Sequence, residues 1–216
     1  MNIIFLGPQG SGKGTQAKII GDNLGLTVAE AGRLIRKASE TDSKIAEIIN
    51  EKGQLIPAEE AFKLITGFLE NNDHEIKNFL LDGYPRSIKQ YELLKEWLKE
   101  KNAKVDLVIF LYISEEETVK RLSARRVCEK CGTNYNLITN PPPNGGCECG
   151  GKLIQREDDK PEAIKKRLAE YKKRTEPVIE MYRKEKILME VNGERPIEVI
   201  SEDILKRIKK LNDRKN

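Results

Sequence analysis

Apolar residues along this chain follow two patterns in alternation. Predominantly apolar runs at Asn2 to Leu6, Phe79 to Leu81, Val105 to Ile113 and Ile187 to Val191 have strand length, and long stretches with helical spacing separate them. Strands apolar on both sides, each followed by a helical segment, predict a parallel sheet covered on both faces, hence an α/β fold. A helical pattern runs from Lys13 to Leu24 directly after a glycine-rich loop. Ser43 to Lys52 predicts a helix closed by Gly53, and Pro57 opens the next one. Ser87 to Lys101 is amphipathic around Leu93, Leu94, Trp97 and Leu98, with Phe68 and Trp97 assigned to the core. Ser114 and Glu117 have capping-box spacing. Periodicity returns at Pro161 and lasts to about Lys184, while the lysine-rich end, Ser201 to Asn216, predicts a solvated surface helix.

One segment breaks this alternation. Between Cys128 and Gly151 the helical period is lost, prolines crowd at Pro141, Pro142 and Pro143, and all four cysteines of the chain appear. Cysteines gathered in this way, in a reducing compartment, suggest a metal site rather than crosslinks. Cys128 and Cys131 form a CxxC knuckle, followed by Cys147 and Cys149 as CxC. Four thiolates predict a structural, closed tetrahedral site, with zinc expected, iron as the alternative metal and Glu148 as the alternative to Cys149.

Composition narrows the partners. Across 216 residues, 39 Lys+Arg against 35 Asp+Glu leave a formal charge of +4, which describes a solvated mixed-charge surface rather than a polyanion binder. The apolar run from Ile3 stops at Gly7, far short of the about 18 residues of a membrane span, so a cytoplasmic protein is expected. The single histidine, His74, lies in a polar stretch and is expected at the surface, which leaves no histidine-based acid–base machinery.

Two motifs carry the chemistry. In GPQGSGKGT, Gly7, Gly10, Gly12 and Gly14 surround Lys13 between a strand and a helix, so main-chain amides can turn toward phosphate oxygens at a helix N-terminus. The general GxxxxGK[ST] pattern would place a hydroxyl at position 14, but here it comes one residue later, at Thr15. In FLLDGYPRSIKQ, a buried strand delivers Asp82 to its carboxyl edge, and Gly83 and Pro85 shape a turn presenting Arg86. Further arginines suit phosphate recognition by their planar, permanently charged fork. Arg121 and Arg125, four residues apart, are expected on one helix face, Arg156 lies in QREDD, and Arg167 in KKRLAEY.

The GKGT ending and the DGYPR stretch resemble the adenylate kinase family, whose loop reads GxPGxGKGT and whose second motif is DG[FY]PR; Gln9 stands where Ala or Gly is usual. The resemblance runs from Ile3 to about Val191 and implies a P-loop NTPase type of α/β fold, with a five-stranded parallel sheet flanked by helices. It implies a core of residues 1–29, 58–126 and 160–216, a nucleoside-monophosphate insert at 30–57 and a zinc-binding lid at 127–159. It also implies reversible transfer of the ATP γ-phosphoryl group to AMP, with Mg²⁺ accompanying ATP.

By resemblance, ATP is held by Gly7, Gly10, Ser11, Gly12, Lys13, Gly14 and Thr15, together with Arg121, Arg125 and Tyr135. AMP falls to Ala31, Arg36, Ile56, Gly83, Arg86 and Gln90, with Arg156 and Arg167 bridging the two substrates. Lys13, Asp82, Arg86, Arg121, Arg125, Arg156 and Arg167 form the implied catalytic set, Asp82 holding Mg²⁺ through water. Asp158 and Asp159 match lid acids, and the family implies a monomer with neither nucleic acid nor membrane as partner. The stretch Glu30-Ala31-Gly32-Arg33 stands where an STGD-like motif is usual, which keeps a broad-range or UMP/CMP kinase open as the alternative, whereas Gln90 favours adenine. A zinc-ribbon ATPase or nucleic-acid module would explain the loop and the cysteines but not DGYPR.

Overall fold

The computed structural model describes residues 1–50, 56–72 and 75–213. Its central strand, β1 (Ile3–Leu6), is buried along its whole length. The main sheet has the order β2-β3-β1-β4-β8, with β2 (Thr27–Glu30), β3 (Phe79–Asp82), β4 (Leu107–Tyr112) and β8 (Leu188–Asn192), and every pairing is parallel. Alternate residues of one strand feed two cores, because successive side chains point to opposite faces. Ile4, Leu6, Leu81 and Val108 pack with Ile65 and Leu69 of α4 (Ala58–Asn72), Leu94 and Leu98 of α5 (Ile88–Glu100) and Val178 of α8 (Glu176–Lys184). Ile3, Phe5, Leu80 and Ile109 pack with Ala17 and Ile20 of α1 (Lys13–Leu24) and with α9 (Ile197–Asp213). Each fully buried aliphatic side chain stabilises the fold by about 1.5–3 kcal/mol, so this double layer rigidly holds the strand ends.

Four of the five strands match the apolar runs, with their ends differing by one or two residues. The remaining one, β2, is an edge strand in which only Ala29 is buried, so no apolar run marks it. After it come α2 (Ala31–Ser39) and α3 (Ser43–Asn50); the expected Gly53 stop and His74 lie outside the described residues. The terminal helix corrects an expectation. Ile200, Ile204 and Ile208 of α9 recur every fourth residue and are buried in the second core, so the lysines cover only its outer side.

The capping box is half formed. Ser114 Oγ accepts from the Glu117 amide at 3.2 Å, but Glu117 does not reach back, because its carboxylate accepts from Arg121 Nε at 2.6 Å. The Ser114 amide donates instead to Glu194, at 2.8 Å.

A second correction concerns Arg121 and Arg125. Helix α6 (Glu115–Ser123) ends between them, and Arg125 opens a strand, so they occupy different elements rather than one helix face. That strand, β5 (Arg125–Cys128), pairs antiparallel with β6 (Asn134–Asn136) and β7 (Leu153–Ile154) in a separate three-stranded sheet. The chain then returns through α7 (Pro161–Glu170), a π-helical turn at Tyr171–Thr175 and α8. Among the described residues no helix is long and apolar enough to cross a membrane.

Candidate functional site

The sheet order reverses at β1, whose neighbours lead away to opposite sides, and ligands of open α/β sheets bind beyond the carboxyl ends of strands at such a point. The glycine-rich loop leaves β1 there. Gly7 has φ +148°, and a Cβ on it would sit 2.2 Å from Leu111 O, so no side chain fits. The Lys13 ammonium folds back over the loop, donating to Gly7 O and Pro8 O at 2.8 Å each and to Ser11 Oγ at 3.3 Å. Burial pushes its pKa down to about 7, opposed by Asp82 and assisted by Arg86, Arg167 and Arg125.

Strand β3 sets Asp82 opposite Phe5, beside this loop. A Cβ on Gly14 would lie 3.2 Å from Asp82 Oδ2, so glycine here lets the carboxylate approach the loop closely. Asp82 Oδ1 is buried without a hydrogen-bond partner among the described residues, and burial raises the carboxyl's pKa despite Lys13. Such an oxygen is suited to accept from a ligand or from metal-bound water. Gly83, at φ +69°, turns the chain so that Arg86 Nε donates to Gly83 O at 2.5 Å. The Arg86 amide donates to Gln90 Oε1 at 2.7 Å, and Thr175 Oγ1 from the π turn donates to Arg86 O at 3.1 Å.

From the small sheet and α7 come the other cations. Arg125 Nε donates to Asp159 Oδ2 at 2.7 Å and Arg167 Nη1 to Oδ1 at 3.1 Å, on a carboxylate with no exposed surface. Arg167 also pairs with Asp158 at 3.0 Å. Arg156 donates to Asn134 Oδ1 at 2.8 Å, and the Arg36 guanidinium lies 3.2 Å from where a Gly32 Cβ would be. Burial comes first in lowering the pKa of Arg36, Arg86, Arg167 and Arg156, the last to about 9, and in each case neighbouring arginines lower it further. These groups feel one another across a shared, partly desolvated space in which Asp82, Asp158 and Asp159 offset only part of the charge. A polyanion is the natural complement.

The remaining candidates are spread over the loop, the small sheet and a neighbouring cavity. Arg121 is buried against the loop near Gly10 and is tied down by Glu117 and by Gly193 O at 2.8 Å. Tyr135 packs among the cysteines, its hydroxyl 3.5 Å from Cys147 Sγ. Thr15 is exposed on the first turn of α1, and Ala31 is buried at the start of α2. Gln90 and Ile56 line a cavity of about 650 Å³ with Pro57, Ala58 and Lys173.

Each cysteine sulfur lies within 4.8 Å of the other three, with Cys128–Cys149 and Cys147–Cys149 at 3.4 Å and Cys131–Cys147 at 3.5 Å. A tetrahedron with metal–sulfur bonds of about 2.3 Å has edges of about 3.8 Å, so the donor set fits a thiolate-preferring ion. Cys149, not the exposed Glu148, completes the set. The short CxC spacing works because the chain turns at Gly150, φ +72°, and because Gly151 leaves room: a Cβ there would meet Cys128 Sγ at 2.5 Å.

The adenylate kinase family model matches residues 5–187. An adenylate kinase of Archaeoglobus fulgidus is 44% identical over 97% of this chain and 100% of its own length. Those of Methanocella arvoryzae and Petrotoga mobilis are 40% and 39% identical, each over 98% of this chain and over 100% and 99% of their own lengths. The chain belongs to the adenylate kinase family.

For a member of this family, the state of Lys13 makes a prediction. A bound triphosphate would supply the anion that burial denies it, raising its pKa from about 7. Nucleotide binding should therefore take up protons, and affinity should fall as pH rises above 7, where the free protein holds Lys13 increasingly neutral. Calorimetry of ATP binding in buffers of different ionisation enthalpy checks this; no proton uptake at pH 8 would refute it.

Some supports of the site have no local signal in the sequence. A Cβ on Gly193 would meet Ser11 O at 2.9 Å, and Gly193 O anchors Arg121, contacts made across 182 and 72 positions. Thr175 reaches Arg86 across 89 positions. Only folding brings such residues to the site.

Proposed function

We infer that this adenylate kinase family member moves phosphate along a path between the glycine-rich loop and Arg86. The reaction is the reversible transfer of the γ-phosphoryl group of ATP to AMP, giving two ADP. The observation that carries the path is the convergence of Lys13, Arg36, Arg86, Arg125, Arg156 and Arg167 at the carboxyl edge of the sheet, beside an Asp82 oxygen that is buried without a hydrogen-bond partner among the described residues. An AMP phosphate oxygen forms the new bond to Pγ while the bond from Pγ to the β–γ bridging oxygen breaks, and the electron pair leaves with ADP. The acceptor is already an anion, so no general base is required. Positive groups that stay fixed while charge migrates supply the catalysis.

In this reading Gly7 to Thr15 cradle ATP, Lys13 and Arg125 neutralise its terminal phosphates, and Arg36 and Arg86 hold the AMP phosphate. Arg156 and Arg167 lie between the substrates, and Gln90 with Ile56 receives the base. Arg121 and the strand carrying Tyr135 flank ATP. Mg²⁺, when bound, spreads the phosphate charge, and Asp82 would hold it through water. Zinc in the thiol set would close the small sheet, which has too few apolar residues to fold on its own core. Residues 30–57 and 127–159 act as two moving inserts on the core, excluding water that would otherwise accept the phosphoryl group. We further propose a cytoplasmic monomer that engages neither nucleic acid nor membrane; four free thiols suit a reducing compartment.

A second reading, a broad-range or pyrimidine monophosphate kinase, draws on Ala31, which offers no hydroxyl, and on Arg33, exposed and 3.9 Å from Glu30. An assay of nucleoside diphosphate formation from ATP with AMP, CMP, UMP and GMP decides. AMP is expected to be preferred by at least about tenfold in kcat/KM, the equivalent of about one net hydrogen bond to the base. Equal rates, or a pyrimidine preference, would replace the AMP reading.

A further inference from the structure

Arg156 is held differently from the other cations of the phosphate path. Arg125 and Arg167 lean on carboxylates, and Arg86 on a main-chain carbonyl. The one hydrogen-bond acceptor of Arg156 among the described residues is a neutral side chain, Asn134 Oδ1, at 2.8 Å. Asn134 is itself oriented: its Nδ2 lies 3.5 Å from Gly132 O, which turns Oδ1 toward the guanidinium. Gly132, at φ +73°, belongs to the CxxC turn and donates to Cys128 O at 2.9 Å. The next two residues of β6 continue the connection. The Tyr135 hydroxyl contacts Cys147 Sγ at 3.5 Å, and Asn136 Nδ2 donates to Arg121 O at 2.8 Å.

We propose that Asn134 is a positioning residue for phosphoryl transfer, aiming Arg156 at the phosphate path and tying that aim to the cysteine knuckle. The proposal rests on Arg156 being a phosphate-contacting group. A neutral acceptor is well matched to this role, because it fixes one edge of the fork yet leaves the positive charge undiminished for the substrates, whereas a carboxylate would compete with phosphate. Asn134 is exposed and opens a three-residue strand, so removing its amide leaves the apolar packing of the small sheet in place. Its contribution lies in preorganisation, which acts on the chemical step more than on binding.

The test is a double-mutant cycle on the metal-loaded full chain. Asn134→Val is expected to lower kcat about tenfold, the rate equivalent of one charge-assisted hydrogen bond, with KM for AMP and ATP changed by less than about threefold. Metal content and melting temperature should match the parent. Asn134→Gln, which keeps a neutral amide acceptor, should recover more of kcat than Asn134→Asp, whose charge competes with phosphate for the guanidinium. In an Arg156→Ala background, Asn134→Val should have no further effect. Parent-like kcat in Asn134→Val, additive losses in the double variant, or a loss that follows metal content would each overturn the proposal while leaving the kinase reading intact. A parent that fails to form ADP from ATP and AMP would overturn both.

Discussion

Lys13→Met is expected to lower kcat by about 10²–10⁴-fold while melting within a few degrees of the parent. The side chain keeps its length and apolar stem, so the loop loses only the ammonium. That ammonium is held by two main-chain carbonyls and a hydroxyl, and burial, with the arginines around it, depresses its pKa against the pull of Asp82. The loop therefore holds a cation at an electrostatic cost, which a bound polyphosphate offsets. Because the cost falls on the folded, nucleotide-free protein, its removal should not destabilise the fold. Coupled ADP-formation kinetics and a thermal melt by circular dichroism measure both sides. A variant within about tenfold of parental kcat would mean that the loop amides alone carry the charge and that Lys13 has been misassigned.

Asp159→Ala should be the most damaging single change to stability in the arginine cluster, costing about 3–5 kcal/mol. Its carboxylate has no exposed surface and accepts from both Arg125 and Arg167. Truncation leaves two guanidinium groups that already repel one another, of which Arg167 keeps Asp158, and removing one member of a buried ion pair costs far more than the pair contributes net. Transfer should fall as well, since both arginines lose the contact that aims them. Urea unfolding of parent and variant reads the stability term, and a loss below about 1 kcal/mol would show the cluster to be solvated enough to screen itself.

Much of this is legible from local pattern. Strand, loop and helix from Ile3 to Leu24, the turn carrying Asp82 and Arg86, and the cysteine knuckles are contiguous motifs whose geometry follows from a few neighbouring residues. Expectations fail where the deciding contact is remote or the local pattern ambiguous. Four-residue spacing from Arg121 predicts a helix position for Arg125, but Arg125 pairs with Asn136 as a strand. The spacing of Ser114 and Glu117 predicts a closed capping box, yet Arg121 claims Glu117, and Glu194 takes its place. The last helix looks solvated because its lysines outnumber its isoleucines in the final turns, although Ile200, Ile204 and Ile208 form a buried stripe.

By itself the sequence determined the fold class, the glycine-rich loop between strand and helix, the four cysteines that could hold a metal and the basic residues from which the candidate site is drawn. Those properties rest on period, glycine freedom and ligand spacing, all of which act within a few residues. Only the tertiary structure decided which arginines meet, which group each is hydrogen-bonded to, and that Asn134, Thr175 and Gly193 come into contact with them or with the loop. Hydrogen bonds between residues 22 to 89 positions apart depend on how the sheet order and the small sheet bring chain segments together, and no local pattern encodes that.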